Sequence, residues 1–132
     1  MTIHLDTSVV IAVLTGARPL LVAYESTAAA GHRLDISSPV LYEWLRGPRV
    51  EGELRLQRVL HPDDQVVSFG PREASIAGEI YRQLKRARNR EMDIAIAACA
   101  MEHGAALWTV NPADFRDIPG LRLYAAPPDS LT

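Results

Sequence analysis

Cysteine is nearly missing from this chain: Cys99 stands alone among 132 residues. That excludes an intramolecular disulfide and any cysteine-rich zinc site, and it agrees with a reducing, cytoplasmic setting. The four histidines, His4, His32, His61 and His103, share no metal-ligand spacing and are not expected to be catalytic. Basic charge is not in excess. Against 16 acids stand 14 Lys and Arg, for a formal net charge of −2, so no global field announces a nucleic-acid partner and only local clusters remain open. No apolar run approaches the roughly 20 residues of a membrane span. Residues 1–12 make a poor signal peptide, lacking a basic start and containing Asp6. Internal repeats and low-complexity linkers are absent as well. What is present is 48% hydrophobic and 23% charged residues, the composition of an ordinary core. The length suits one domain spanning 1–132 and buries about two thirds of its unfolded surface without staples.

Proline and glycine punctuate short elements. "TIHL" (2–5) reads as a buried strand with Asp6 at its C-terminal end, and "SVVIAVL" (8–14) as a helix stopped near Gly16. A second helix covers 19–32, with Pro19 in its first turn and Gly31 past its end. A short strand at 33–37 precedes a helix at 39–47, which Gly47-Pro48 interrupts and 51–60 resumes. Residues 65–69 read as a third strand. The clearest helix is 71–88, where Ile76, Ile80 and Leu84 share a face with Ala77 and Tyr81. Residues 92–104, small and apolar nearly all round, predict a central helix; 105–110 is a fourth strand and 121–125 a weak last one. Strands alternating with helices imply an α/β domain with a largely parallel sheet. Such sheets place ligand sites at the C-terminal ends of their strands.

That rule draws attention to Asp6, a lone acid in the apolar run "IHLDTSVVIAVL". An ionised carboxylate costs several kcal/mol to bury unless it is paired or holds a cation. The same rule locates "TVNPADF" (109–115), which carries Asn111 and Asp114 off the fourth strand. Glu43 in "PVLYEWL" and Asp93 in "MDIAIAACA" also sit in apolar helical surroundings. Each has an ordinary explanation. Asp6 caps the next helix, Glu43 pairs with Arg46, Asp93 complements a helix dipole, and Asp114 forms a turn. Gathered at one sheet edge, the four instead repel one another, and either a raised pKa or a hard divalent cation relieves the repulsion. Mg²⁺ and Mn²⁺ prefer oxygen ligands, and a carboxylate cage of that kind suits metal-assisted phosphodiester hydrolysis.

The segments "IHLDTSVVIAVL", "ISSPVLYEWLRG" and "MDIAIAACAMEHGAALWTVNPADFRDIPGL" together resemble the PIN-domain ribonucleases. More narrowly, they resemble the VapC-type toxins of type II toxin–antitoxin pairs. The motifs occur in the expected order: D-T-S, then S-S-x-x-L-x-E-x-x-x-G, then D-x-x-I-A-A, then T-x-N-x-x-D-F-x-x-I-P-G-L. The resemblance implies a three-layer α/β/α domain whose mostly parallel sheet has four to five strands. It also implies RNA cleavage dependent on Mg²⁺ or Mn²⁺. The family's four acids fall on Asp6, Glu43, Asp93 and Asp114, with Asp6, Glu43 and Asp93 holding one ion and Asp114 completing the site. Thr7, Ser8 and Thr109 would orient carboxylates or water, and Asn111 would hold a water; whether Asn111 or Asp114 lies nearer the metal stays open. A VapB-type antitoxin and a homodimer are the implied protein partners. The Gly47-Pro48 pair departs from the family pattern and is expected to bend the arm that carries partner contacts. Two rivals remain: an RNA-processing nuclease of the same chemistry without an antitoxin, and a non-catalytic α/β binding module with structural acids.

Basic residues cluster upstream of Asp93: Arg82, Lys85, Arg86, Arg88 and Arg90, with Arg72 earlier. They form either a solvated helix end or a phosphate-tracking rim. Arg46, Arg86 and Arg90 are the candidate RNA contacts. Trp108 is expected in the core, while Trp44 is left between base stacking and a protein interface. Cys99 reads as a small core residue. Apolar residues between 8 and 24, from Val9, Val10 and Ile11 through Leu14 to Leu20, Leu21 and Val22, exceed what one core face needs. The surplus is a candidate dimer face or partner groove.

Overall fold

The computed structural model describes residues 1–126. Strand β1 (Thr2–Leu5) runs through its centre, followed by helices α1 (Thr7–Leu14) and α2 (Arg18–Ala29) and by strand β2 (Arg33–Asp35). Helices α3 (Ser38–Leu45), α4 (Glu51–Leu60), α5 (Pro71–Gln83) and α6 (Glu91–Glu102) then lead to strand β3 (Ala106–Trp108). Two 3₁₀ turns, Asp63–Gln65 and Pro112–Asp114, complete the described elements. Among the described residues, no single helix is long and apolar enough to cross a membrane.

Among the described residues the sheet has three strands rather than the expected four to five, in the order β2-β1-β3, parallel throughout. Register pairs Ile3 with Leu34 and Ala106, His4 with Asp35 and Leu107, and Leu5 with Trp108. Paired residues of parallel strands point to the same face, so Ile3, Leu5 and Trp108 share one face and His4, Asp35 and Leu107 the other. Helix α6 covers the His4 face: the ring of His103, at its end, lies 5.8 Å from that of His4. Helix α2 lies on the opposite face, where the Thr27 hydroxyl bonds that of Tyr124, whose ring stands edge-on to Trp108. Sheet and helices thus form the three expected layers. β1 lies between a strand reached by α1–α2 and a strand reached by the later helices, which makes its C-terminal end a topological switch point, where open α/β sheets bind ligands.

Local sequence explains the boundaries. Pro19, Pro39 and Pro71 occupy first turns of α2, α3 and α5, where their missing N–H costs nothing. Gly16 and Gly31 take φ of 82° and 93° after α1 and α2, a conformation that side chains with a Cβ resist. Helix α6 buries Ile94, Ile96, Ala97, Ala98, Cys99 and Ala100, and the small side chains let it approach the sheet closely. Burial pushes the Cys99 thiol up to about 11, as suits an inert core residue.

Five expectations need correction. The strand expected over 65–69 contributes one bridge, Val67 to Ser37, because the chain turns at Phe69–Gly70 to start α5. The strand expected over 121–125 likewise contributes one bridge, Leu123 to Leu107. The expected helix 71–88 stops at Gln83: Leu84 is extended, Ala87 turns into the core and Asn89 adopts φ 67°. The basic residues 85–90 therefore lie on turns rather than on a helix end. Trp44 is fully buried, with the Arg49 guanidinium 4.0 Å over its ring, and is not available for base stacking or a partner. The apolar surplus of 8–24 is largely absorbed: Val9, Val10 and Leu14 join the core, Ile11, Leu20 and Leu21 pack against it while partly exposed, and Val22 is half-buried. Large exposed apolar side chains stand on α3 and α4, at Tyr42, Leu45, Leu56 and Val59, and others are scattered, such as Phe69, Tyr81 and Val110.

Candidate functional site

Asp6 sits at the end of β1, 6% exposed. Its backbone N–H donates to Trp108 O at 2.8 Å, so the residue still belongs to the sheet. Its main-chain carbonyl accepts from Val9 and Val10 as α1 begins, but its side chain makes no helix cap. Instead the carboxylate oxygen Oδ2 accepts from two hydroxyls, Ser8 Oγ and Thr109 Oγ1, each at 2.8 Å. Those hydroxyls also serve the loop after β3: Val110 N donates to Ser8 Oγ and Asn111 N to Thr109 Oγ1. With Oδ2 occupied, Oδ1 is the oxygen left for the cleft.

Glu43, on α3, is held by Thr7 on α1, whose hydroxyl donates to Oε1 at 2.5 Å. Arg46 pairs with its other oxygen at 3.2 Å and also lies 5.3 Å over the Tyr42 ring. The ordinary explanation for Glu43 is therefore present, together with a second contact that ties it to the start of α1. Asp93 stands in the first turn of α6 and Asp114 on the 3₁₀ turn after β3. Asp6, Glu43, Asp93, Asp114 and Asn111 all line one cleft of about 570 Å³, together with Thr7, Ser8 and Arg46. Thr109 stands behind Asp6 and supports it.

The electrostatics of the cleft follow from this convergence. Asp93 is pushed up to about 6, first by burial and then by the negative charges of Asp6, Glu43 and Asp114, with Arg90 opposing. Four acids from four segments thus feel one another. Among the described residues, no three His, Cys, Asp or Glu side chains lie close enough to hold one ion directly. The donor set is oxygen only and strongly negative, which fits a hard cation that retains part of its water shell.

The candidate RNA contacts separate. Arg46 lines the cleft and Arg86 is exposed on a turn. Arg90 is engaged by Asp117 and by main-chain carbonyls. Asp117 was not singled out from the sequence, because nothing in the linear pattern pairs residues 27 positions apart. Ile11 and Phe115 also line the cleft, and their apolar character gave no signal of it.

Comparison with known proteins agrees with this fold. Among solved structures, the chain is similar to one from VapBC2 of Rickettsia felis bound to a DNA fragment from their promoter, at TM-score 0.76 and 23% identity over 94% of this chain and 98% of that one. It is similar to one from DNA-bound VapBC of Salmonella typhimurium, at TM-score 0.72 and 23% identity over 94% and 97%. A third, from FitAcB of Neisseria gonorrhoeae, gives TM-score 0.71 at 18% identity over 94% and 97%. No curated protein matches the chain. The PIN-domain family model matches residues 3–121, which contain every residue of the cleft. This chain belongs to the PIN-domain family.

Proposed function

We propose that the chain is an endoribonuclease dependent on Mg²⁺ or Mn²⁺, hydrolysing RNA phosphodiester bonds at the acidic cleft, and that it acts as the toxin of a toxin–antitoxin pair. The observation that carries this reading is the convergence of Asp6, Glu43, Asp93 and Asp114 on one cleft, where burial and, after it, the charges of the other three raise the pKa of Asp93. Mutual repulsion of this kind is stored against the arrival of a cation.

Asp6, Glu43 and Asp93 would hold the ion partly through bound waters, and Asp114 and Asn111 would complete its shell through water. When bound, the ion supplies polarisation of the phosphate and a water of lowered pKa. The protein's own share is placement. Ser8 and Thr109 fix the plane of the Asp6 carboxylate, and Thr7 fixes Glu43. These hydroxyls are bound before any substrate arrives, so little rearrangement is needed. Arg46, at the cleft wall, offers a cation to an entering phosphate or to an acidic partner segment.

The toxin role is supported by family membership and by the fold shared with chains of VapBC and FitAB complexes. Tyr42, Leu45 and Val59 give α3 and α4 the exposed apolar surface that a VapB-type antitoxin or a second copy of the chain would cover. The test is a panel of structured RNAs incubated with purified protein in Mg²⁺, Mn²⁺ or chelator. Wild type should cut only with metal, and Asp6→Asn and Asp93→Asn should be folded and inactive. Full activity in either variant, or in chelator, overturns the reading.

A further inference from the structure

We propose that Arg90 and Asp117 form a clamp that sets Asp114 against Asp93, making both of them positioning residues for the metal-dependent cleavage; this rests on the function proposed above. Arg90 immediately precedes α6, three residues ahead of Asp93. Its guanidinium forks onto Asp117, with Nη1 donating to Oδ2 at 2.8 Å and Nη2 to Oδ1 at 2.7 Å. Nη2 also donates to the main-chain carbonyl of Asp114 at 2.9 Å, and Nη1 to that of Arg86 at 2.9 Å. One planar group thus binds acceptors on the turn before α6 and on the turn after β3. A fork of this kind fixes direction as well as charge, which an ammonium does not.

The segment it holds needs holding. The 3₁₀ turn carrying Asp114 has three residues, and Asn111, Ala113 and Asp114 are exposed. Phe115 and Ile118 anchor it from the core. Arg90 supplies the lateral restraint, because pinning the Asp114 carbonyl limits where the same residue's carboxylate can swing. The helix that presents the third acid and the turn that presents the fourth are in this way tied together at the rim of the cleft. The arrangement also leaves Arg90 little to offer an RNA phosphate: its side chain is only 21% exposed and its Nη1 and Nη2 donors are committed.

Two variants separate positioning from RNA contact. Arg90→Lys keeps the charge and loses the fork; Asp117→Asn keeps the shape and frees Arg90. For both, kcat and KM on RNA are measured across salt concentrations, and Mn²⁺ affinity is measured by electron paramagnetic resonance. Circular dichroism checks the fold, and amide hydrogen exchange is followed over residues 111–117 without metal. Positioning predicts that both variants lose about tenfold or more in kcat and in Mn²⁺ affinity. It also predicts faster exchange in the segment, with KM and salt dependence as in wild type. If Arg90→Lys raises KM while Asp117→Asn lowers it at unchanged kcat, the clamp is wrong and Arg90 contacts RNA. Wild-type kcat, Mn²⁺ affinity and exchange in both variants also overturn it. A wild-type protein that neither binds Mn²⁺ nor cuts RNA removes the nuclease reading and the clamp together, whereas an active wild type with unperturbed variants removes the clamp alone.

Discussion

Replacing Thr109 with valine removes one hydroxyl and keeps the side chain's shape. Thr109 is 9% exposed, and its hydroxyl donates to Asp6 Oδ2 at 2.8 Å while accepting from Asn111 N at 3.0 Å. A hydrogen bond to a charged group contributes about 1.5–3 kcal/mol. Asp6 keeps the bond from Ser8 and the Asn111 N–H is near water, so the lower end, about 1.5 kcal/mol, is the expected loss of stability without metal. Removing a group that orients a metal ligand costs about ten- to a hundredfold in affinity, and with Ser8 still in place the expected fall for Mn²⁺ is about tenfold. Urea denaturation measures the first quantity and an electron paramagnetic resonance titration the second. Repeating the substitution in an Asp6→Asn background removes the charged acceptor, and the stability loss should shrink to about 0.5–1 kcal/mol. Wild-type Mn²⁺ affinity in Thr109→Val, or the same loss in both backgrounds, refutes the reasoning that this hydroxyl acts through the Asp6 carboxylate.

His4 and His61 are pushed down from 6.5 to about 4, chiefly by burial, with Asp35 opposing in each. The unfolded chain takes up protons at both while the folded chain does not, so stability is full above about pH 6.5 and falls by up to about 3 kcal/mol per histidine as the pH drops towards 4. Asp93, raised to about 6 in the folded chain, gains stability over the same range and offsets part of this. Denaturation midpoints of Asp93→Asn from about pH 7 to about pH 4.5 should therefore show the decline in full, and a flat profile there contradicts it. Arg86→Ala should weaken RNA binding uniformly across sequences and reduce the salt slope by about 1; an unchanged slope takes Arg86 off the RNA path. Trp44 and Trp108, at 0% and 4% exposure, should resist quenching by both acrylamide and RNA, and strong quenching by RNA would show that one of them reaches the bases.

Much of the site was legible because its acids break a local rule. Asp6 in an apolar run and Glu43 and Asp93 on apolar helices are costly unless they act together, and the strand-end rule said where they would meet. The choice between capping and clustering at Asp6 was not legible, since both need the same residue at the same position; only the two hydroxyls on Oδ2 separate them. Helix α5 was legible in its face but not in its end, because the break at Leu84 is set by the burial of Ala87 and the commitment of Arg90 to Asp117, both tertiary. The same holds for Trp44, whose burial depends on Arg49 folding back over its ring. The single-bridge segments at Val67 and Leu123 carry strand-like composition, but each pairs at one residue before the chain turns away.

The most direct test is anomalous diffraction at the manganese edge from crystals of the full chain soaked in Mn²⁺, alongside Asp93→Asn crystals treated identically. A manganese peak should appear in the cleft among Asp6, Glu43, Asp93 and Asp114 in wild type and be lost or weakened in the variant. An empty cleft at saturating Mn²⁺, or peaks confined to other parts of the surface, would contradict a shared cation there.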